Sequence, residues 1–160
     1  MAAPSSPKRD PKVVGLVFIS AFAPDSGESS LSLATANPTP GAGEIRPDQS
    51  GFLKLTPTGI FDDFAQDLSK TEKTILNATQ VPTAGAALGT PAQNPAWKTK
   101  PTWFVIAADD RTVSPQLEAT EASRMNATTI TLRTCHVAML ADPERVADFI
   151  MTAAGKSNEK

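Results

Sequence analysis

Three stretches of the chain are apolar without alternation: residues 13–20 (VVGLVFIS), 102–107 (TWFVIA) and 128–132 (TTITL). Short runs of this kind, rich in Val, Ile and Phe, are the pattern of strands buried on both faces of a parallel sheet. Each run ends at residues that stop a strand. Pro24 and Gly27 follow the first, the turn Ala108-Asp109-Asp110-Arg111 the second, and a loop with Cys135 and His136 the third. Between them the period changes to that of a helix. Ile60, Phe64 and Leu68 share one face, with Ile75 and Leu76 beyond, which predicts a helix over 60–77. Pro82 to Leu88 suggests a short further turn. Ser114 is placed as an N-cap with Pro115 at the first helical position, predicting a helix to about Met125. Asp142-Pro143 opens a last helix to about Ala153, with Val146, Phe149 and Ile150 facing inward.

The remaining segments are polar or rich in breakers. Residues 1–11 (MAAPSSPKRDP) read as a polar arm, and 155–160 (GKSNEK) as a disordered tail. The fourteen prolines and nine glycines thin out after residue 101, so the front of the chain should be rich in loops. Within it GFLKLTPTGIF could form a hairpin or an extended segment, and Trp97 is the large apolar anchor of the loop 91–101. The expected organisation is therefore an arm (1–11), a first core strand (12–23), a long insertion (24–100), a strand–helix–strand–helix core (101–154) and the tail. Strands alternating with helices imply a parallel α/β arrangement with right-handed crossovers.

A length of 160 residues and 40% apolar composition suffice for one core. A net charge of −2, with no basic stripe, argues against a nucleic-acid partner. The run at 13–22 is too short to span a bilayer, which takes about 20 residues, and it does not read as a secretion signal. A single cysteine excludes an internal disulfide and favours a cytoplasmic location. Neither a metal nor a cofactor is expected.

The chemistry gathers at the ends of the second and third strands. His136 is the only histidine, and the Asp109-Asp110 pair occupies the matching loop one strand earlier. Adjacent strand ends lie about 5 Å apart, so side chains from these loops can meet at the edge where open α/β sheets bind ligands. A carboxylate there would fix the imidazole tautomer, as the acid of a catalytic triad does. Asp109 competes with Asp110 for that role. Cys135 could act as a nucleophile if its thiol were ionised, although neighbours on an extended loop point apart and a filling role is preferred. Ser20, at the end of the first strand, could line the same cleft or simply bond backbone.

DDRTVSP resembles the acid segment of α/β-hydrolases, and TCHVAMLADPERVADFI resembles their histidine segment. KVVGLVFISAFAPDSGES and TKPTWFVIAADDR are similar to strands in a group of small bacterial and fungal esterase-like hydrolases. The likeness spans roughly residues 11 to 152, in the family's order. It implies a fold of three parallel strands with flanking helices, taken from the C-terminal part of the family's sheet. The insertion 24–100 would be a loop-rich, helical cap. It also implies that Asp110, by its spacing to Val113 and Pro115, is the acid and His136 the catalytic base, cleaving a small apolar ester. Phe52, Phe61, Phe64, Leu68, Leu76 and Trp97 would face the core or an apolar acyl pocket.

The family's G-x-S-x-G serine does not occur; GESSL (27–31) has Leu31 in place of the second glycine and follows the wrong strand. The upstream strands and oxyanion segment are likewise expected to be missing. The resulting expectation is an esterase-like hydrolase half, inactive alone. The alternatives are a truncated, non-catalytic or interacting product, or one half of a split enzyme. The strand 13–20, lacking its neighbour, would be prone to self-association.

Overall fold

In the computed structural model, which describes residues 12–158, the first run becomes β1 (Leu16–Ile19). A short helix α1 (Ser30–Ala36), a 3₁₀ turn (41–44) and two strands, β2 (Ile45–Pro47) and β3 (Phe52–Leu55), follow. A π-type turn (Gly59–Phe64) leads to α2 (Lys70–Thr79), then β4 (Thr83–Ala84) and α3 (Gly85–Gly89). The chain ends in β5 (Thr102–Ala107), α4 (Pro115–Arg124), β6 (Thr128–Leu132), α5 (Ala138–Ala141) and α6 (Pro143–Asn158).

The three apolar runs form one parallel sheet in the order β1-β5-β6, with Phe18 opposite Phe104 and Val105 opposite Ile130. β5 lies in the middle, and its lack of alternation has a direct cause: both of its faces are covered. Phe104 packs with Ala23, Ala122 and Met125 on the side of α4, stacked on Phe18 at 5.6 Å. Val105 packs with Leu132, Ala138 and Val146 on the side of α5 and α6. Burying a side chain such as that of Phe104 contributes about 2–3 kcal/mol. The outer strand β6 is more exposed, which matches its threonines.

The insertion carries a second sheet, antiparallel, in the order β2-β3-β4. The segment GFLKLTPTGIF does supply a hairpin strand, with Lys54 opposite Arg46. The helix expected over 60–77 is two pieces. An Ala65 N–H to Ile60 O bond of 3.1 Å closes the π-type turn, and a second turn, with Leu68 N–H on Ala65 O at 3.0 Å, follows before Ser69 caps α2. Ser69 and Glu72 bond each other's backbone reciprocally, a capping box that starts a new helix and breaks the apolar stripe. Two helices were not anticipated. α1 has its own box between Ser29 and Ser32, and α5 is a single turn after Val137.

Two expectations at the C-terminus are corrected. α6 runs on to Asn158, past Ala153 and into the segment expected to be a disordered tail. Ile150 is 41% exposed, not on the inner face; Val146 is buried and Phe149 packs beside it. The arm 1–11 lies outside the described residues. No helix among those described is long and apolar enough to cross a membrane.

Candidate active site

Beyond Ala107 the chain turns sharply. Asp110 N–H bonds back to Ala107 O at 3.2 Å, while Ala108 and Asp109 donate to Leu132 and Thr134 at the end of β6. The loops after β5 and β6 are thereby tied together. The carboxylate of Asp110 is buried, with no exposed side-chain surface. Its Oδ1 accepts the N–H groups of Thr112 (2.7 Å) and Val113 (3.0 Å). Its Oδ2 lies 2.7 Å from His136 Nδ1. Three donors offset the cost of placing this carboxylate in the interior. A carboxylate only accepts, so Nδ1 carries the proton and Nε2 of the neutral ring is left as an acceptor. The ring is 21% exposed and rests 4.9 Å from that of Phe64.

The insertion clamps both loops. Arg111 pairs with Asp63 at 2.9 Å, and Thr112 Oγ1 donates to Asp63 O. Gln66 Nε2 donates to Asp109 O at 2.6 Å, and Cys135 N–H to Asp67 Oδ2 at 2.7 Å. On the other flank Gly41 N–H bonds Arg111 O at 2.8 Å, so close that a Cβ at this position would stand 2.9 Å from that oxygen. Formed mostly by the insertion is an open cavity of about 470 Å³, which Ile60, Phe64 and Leu76 border together with Thr112 and His136 of the core loops. Its walls are chiefly apolar, with His136 as a polar group that can do chemistry.

The other sequence candidates stand apart from this pair. Asp109 turns outward, 53% exposed, toward Arg133 at 3.7 Å. Cys135 is buried with Ala65 and Val137. Burial, helped by the carboxylate of Asp67, pushes its thiol up to about 12, so it fills space and is not an ionised nucleophile. Ser20 is buried in the left-handed region at φ 46°, but its Oγ finds no hydrogen-bond partner among the described residues, contrary to the backbone bond expected. Of the six apolar residues named for a core or pocket, Phe64 and Leu76 line the cavity. Leu68 joins the cluster around Cys135, and Trp97 packs on the α4 side while its Nε1 donates to Pro24 O. Phe61 is half-buried and Phe52 is 43% exposed, a correction for the latter, which opens β3 just after the turn at Gly51.

Four residues that shape the site were not singled out from the sequence: Asp63, Gln66 and Asp67 of the insertion, and Glu118 of α4. The first three carry no local signal, because their partners lie at least 43 positions away. Glu118 did carry one. It and Glu121 fall on the buried stripe of α4 with Leu117 and Ala122, where a charge is out of place.

The sequence matches the alpha/beta hydrolase family over residues 1–149. No curated protein matches it. Among solved structures, it is similar to polyneuridine aldehyde esterase (14% identity, TM-score 0.73, 90% of this chain and 64% of the other). It is also similar to a pyrethroid hydrolase from Sphingobium faniae JZ-2 (18%, TM-score 0.71, 92% and 63%). A third is methylketone synthase I of tomato in complex with 2-tridecanone (12%, TM-score 0.69, 89% and 62%). The chain thus spans slightly under two thirds of the length of these structures.

Proposed function

The chain belongs to the alpha/beta hydrolase family, and on that footing we propose that Asp110 and His136 are the acid and histidine of an esterase-like charge relay. The observation that carries this reading is the 2.7 Å contact between His136 Nδ1 and a buried Asp110 carboxylate, at the rim of an apolar cavity. With Nδ1–H held by Asp110, Nε2 faces outward as an acceptor. It would take the proton of an attacking hydroxyl and return it to the leaving group, while Asp110 stabilises the imidazolium formed between the two steps. The cavity beside the ring suits the apolar part of an ester or a related acyl compound. The 160 residues contain no G-x-S-x-G serine. We therefore expect this chain by itself to cleave nitrophenyl esters no faster than its His136→Ala variant, because losing the nucleophile in such a relay removes about six orders of magnitude of turnover.

A direct test uses the single histidine as its own reporter. A non-hydrolysable apolar ester analogue should shift the ring resonances of His136, and Leu76→Asp should abolish that shift. Asp110→Asn should alter the histidine's titration. An unchanged titration in Asp110→Asn would refute the relay, and ring resonances indifferent to the analogue would refute the pocket.

A second reading, binding of another strand or a second copy, is favoured by one observation. β1 pairs with β5 alone among the described strands, and Val13, Val14 and Val17 beside its open edge are 40, 51 and 37% exposed. An apolar edge of this kind recruits strands. Size-exclusion chromatography should show association that Val17→Lys suppresses; a monomer at all concentrations removes this reading.

A further inference from the structure

α4 turns two glutamates, Glu118 and Glu121, toward the sheet. Glu118 has no exposed surface at all. Its Oε2 accepts the N–H of Ala107, the last residue of β5, at 2.9 Å. Its Oε1 is buried and meets no hydrogen-bond donor among the described residues. The carboxyl of Asp110 is a neighbour at hydrogen-bonding range and acts on Glu118 as a charge as well. Two ionised carboxylates in contact in a dry interior repel, and each would present lone pairs to the other with nothing between them. A single proton shared between the two removes both costs.

The donors decide which group keeps that proton. Asp110 accepts three hydrogen bonds, from Thr112, Val113 and His136, whereas Glu118 accepts one, from Ala107. Hydrogen bonds to the charged form favour ionisation, so Asp110 is the better anion. Burial first, then the negative charges of Asp110 and Glu121, push Glu118 up to about 9 against the single opposing N–H. The other charges on this face do not relieve it: Arg124, further along α4, is engaged with Glu28 and Glu121.

We propose that Glu118 is held as a neutral carboxylic acid whose Oε1–H donates to the carboxylate of Asp110, making Glu118 a positioning residue for the Asp110–His136 pair. The inference rests on the reading of that pair given above. Its consequence is that Asp110 is the one negative charge behind His136, anchored on one side by the turn, on the other by the ring, and from behind by α4.

Glu118→Gln is the informative variant. Its amide oxygen can accept from Ala107 while its NH₂ donates to Asp110, reproducing a neutral donor. At pH 8, above the value of about 7 to which Glu121 is raised and below the value of about 9 for Glu118, the parent chain should show an infrared C=O band of a protonated carboxyl, and Glu118→Gln should lose that band. The titration midpoint of the histidine, followed by NMR, should stay within about 0.2 units of the parent in Glu118→Gln. In Glu118→Leu, where the donor is gone and Asp110 holds its full charge, it should rise by about half a unit or more. If Glu118 were ionised, the parent would lack the band, and Glu118→Gln would lower the midpoint by about half a unit or more by removing a charge. Either result overturns the proposal. Asp110→Asn separates it from the reading beneath it: an unmoved midpoint there dismisses the relay itself, whereas a moved midpoint with an absent band dismisses only the role of Glu118. Should Glu118→Leu fail to fold, the band in the parent and the Glu118→Gln titration still decide.

Discussion

Asp110 accepts from two backbone N–H groups and one imidazole, so its place depends on charge more than on shape. Asp110→Asn keeps the volume and can still accept from Thr112 and Val113, yet it loses the charge-assisted bond to His136. That should cost about 2 kcal/mol of stability, read as a lower urea midpoint. Cys135 presents the opposite case, an inert group beside the proposed base. With its thiol pushed up to about 12 by burial, its thiolate fraction at pH 8 is about a thousandfold below that of a free cysteine. Iodoacetamide should therefore label Cys135 rapidly in urea and at most a thousandth as fast in the folded chain; equal rates would show the loop open. The loops bearing Asp110 and His136 were legible in the sequence because each lies just past an apolar run, whereas the choice of Asp110 over Asp109 came from the family's spacing to Val113 and Pro115. Ser20 was less so. Its left-handed backbone, and a hydroxyl without a partner among the described residues, follow from how the chain leaves β1, not from its own residue type.

At the scale of elements, β5 holds the sheet together. Phe104 is fully buried between Phe18 and α4, and Phe104→Ala should cost about 3–5 kcal/mol, much of the stability of a domain this size. A thermal melt at or near the parent's midpoint would contradict that role. Gly41 matters for a different reason. In Gly41→Ala the new methyl meets Arg111 O, so the turn bearing Asp110 must shift, at a cost of about 1–3 kcal/mol. The three core strands and α4 could be read from the sequence because their apolar runs are continuous and their caps, such as Ser114-Pro115, are local. The insertion resisted the same reading. Its apolar stripe resumed at Ile75 and Leu76 after Leu68, and only the Ser69–Glu72 box, a signal four residues long, marked the break. The fold of α6 past Ala153 was missed because polar composition alone does not end a helix.

For the molecule as a whole, two buried glutamates set a pH dependence. Their folded values are raised, to about 9 for Glu118 and about 7 for Glu121, in both cases chiefly by burial. In the unfolded chain both ionise near the ordinary 4.5. A raised folded value means that stability is fully present below pH 4.5 and declines as pH climbs, through about 7 for one residue and about 9 for the other. Unfolding in urea should thus become easier from pH 5 to pH 8, and the double variant Glu118→Gln/Glu121→Gln should flatten that trend. A parent curve already flat across this range would mean that both groups are ionised in the fold.

The clamps from the insertion, Asp67 to Cys135 and Gln66 to Asp109, join parts of the chain 68 and 43 positions apart. They are few, and each is a single polar contact on a sheet edge that is itself densely packed. Contacts so sparse and so distant along the chain open in local fluctuations far below the free energy of global unfolding. The amide of Cys135, sealed only by Asp67, should then exchange its hydrogen orders of magnitude sooner than those of Phe104 or Val105 in β5. In that picture the loop bearing Cys135 comes and goes from the insertion while the cavity by His136 stays open to solvent, so a ligand can enter without waiting for that carboxylate to let go.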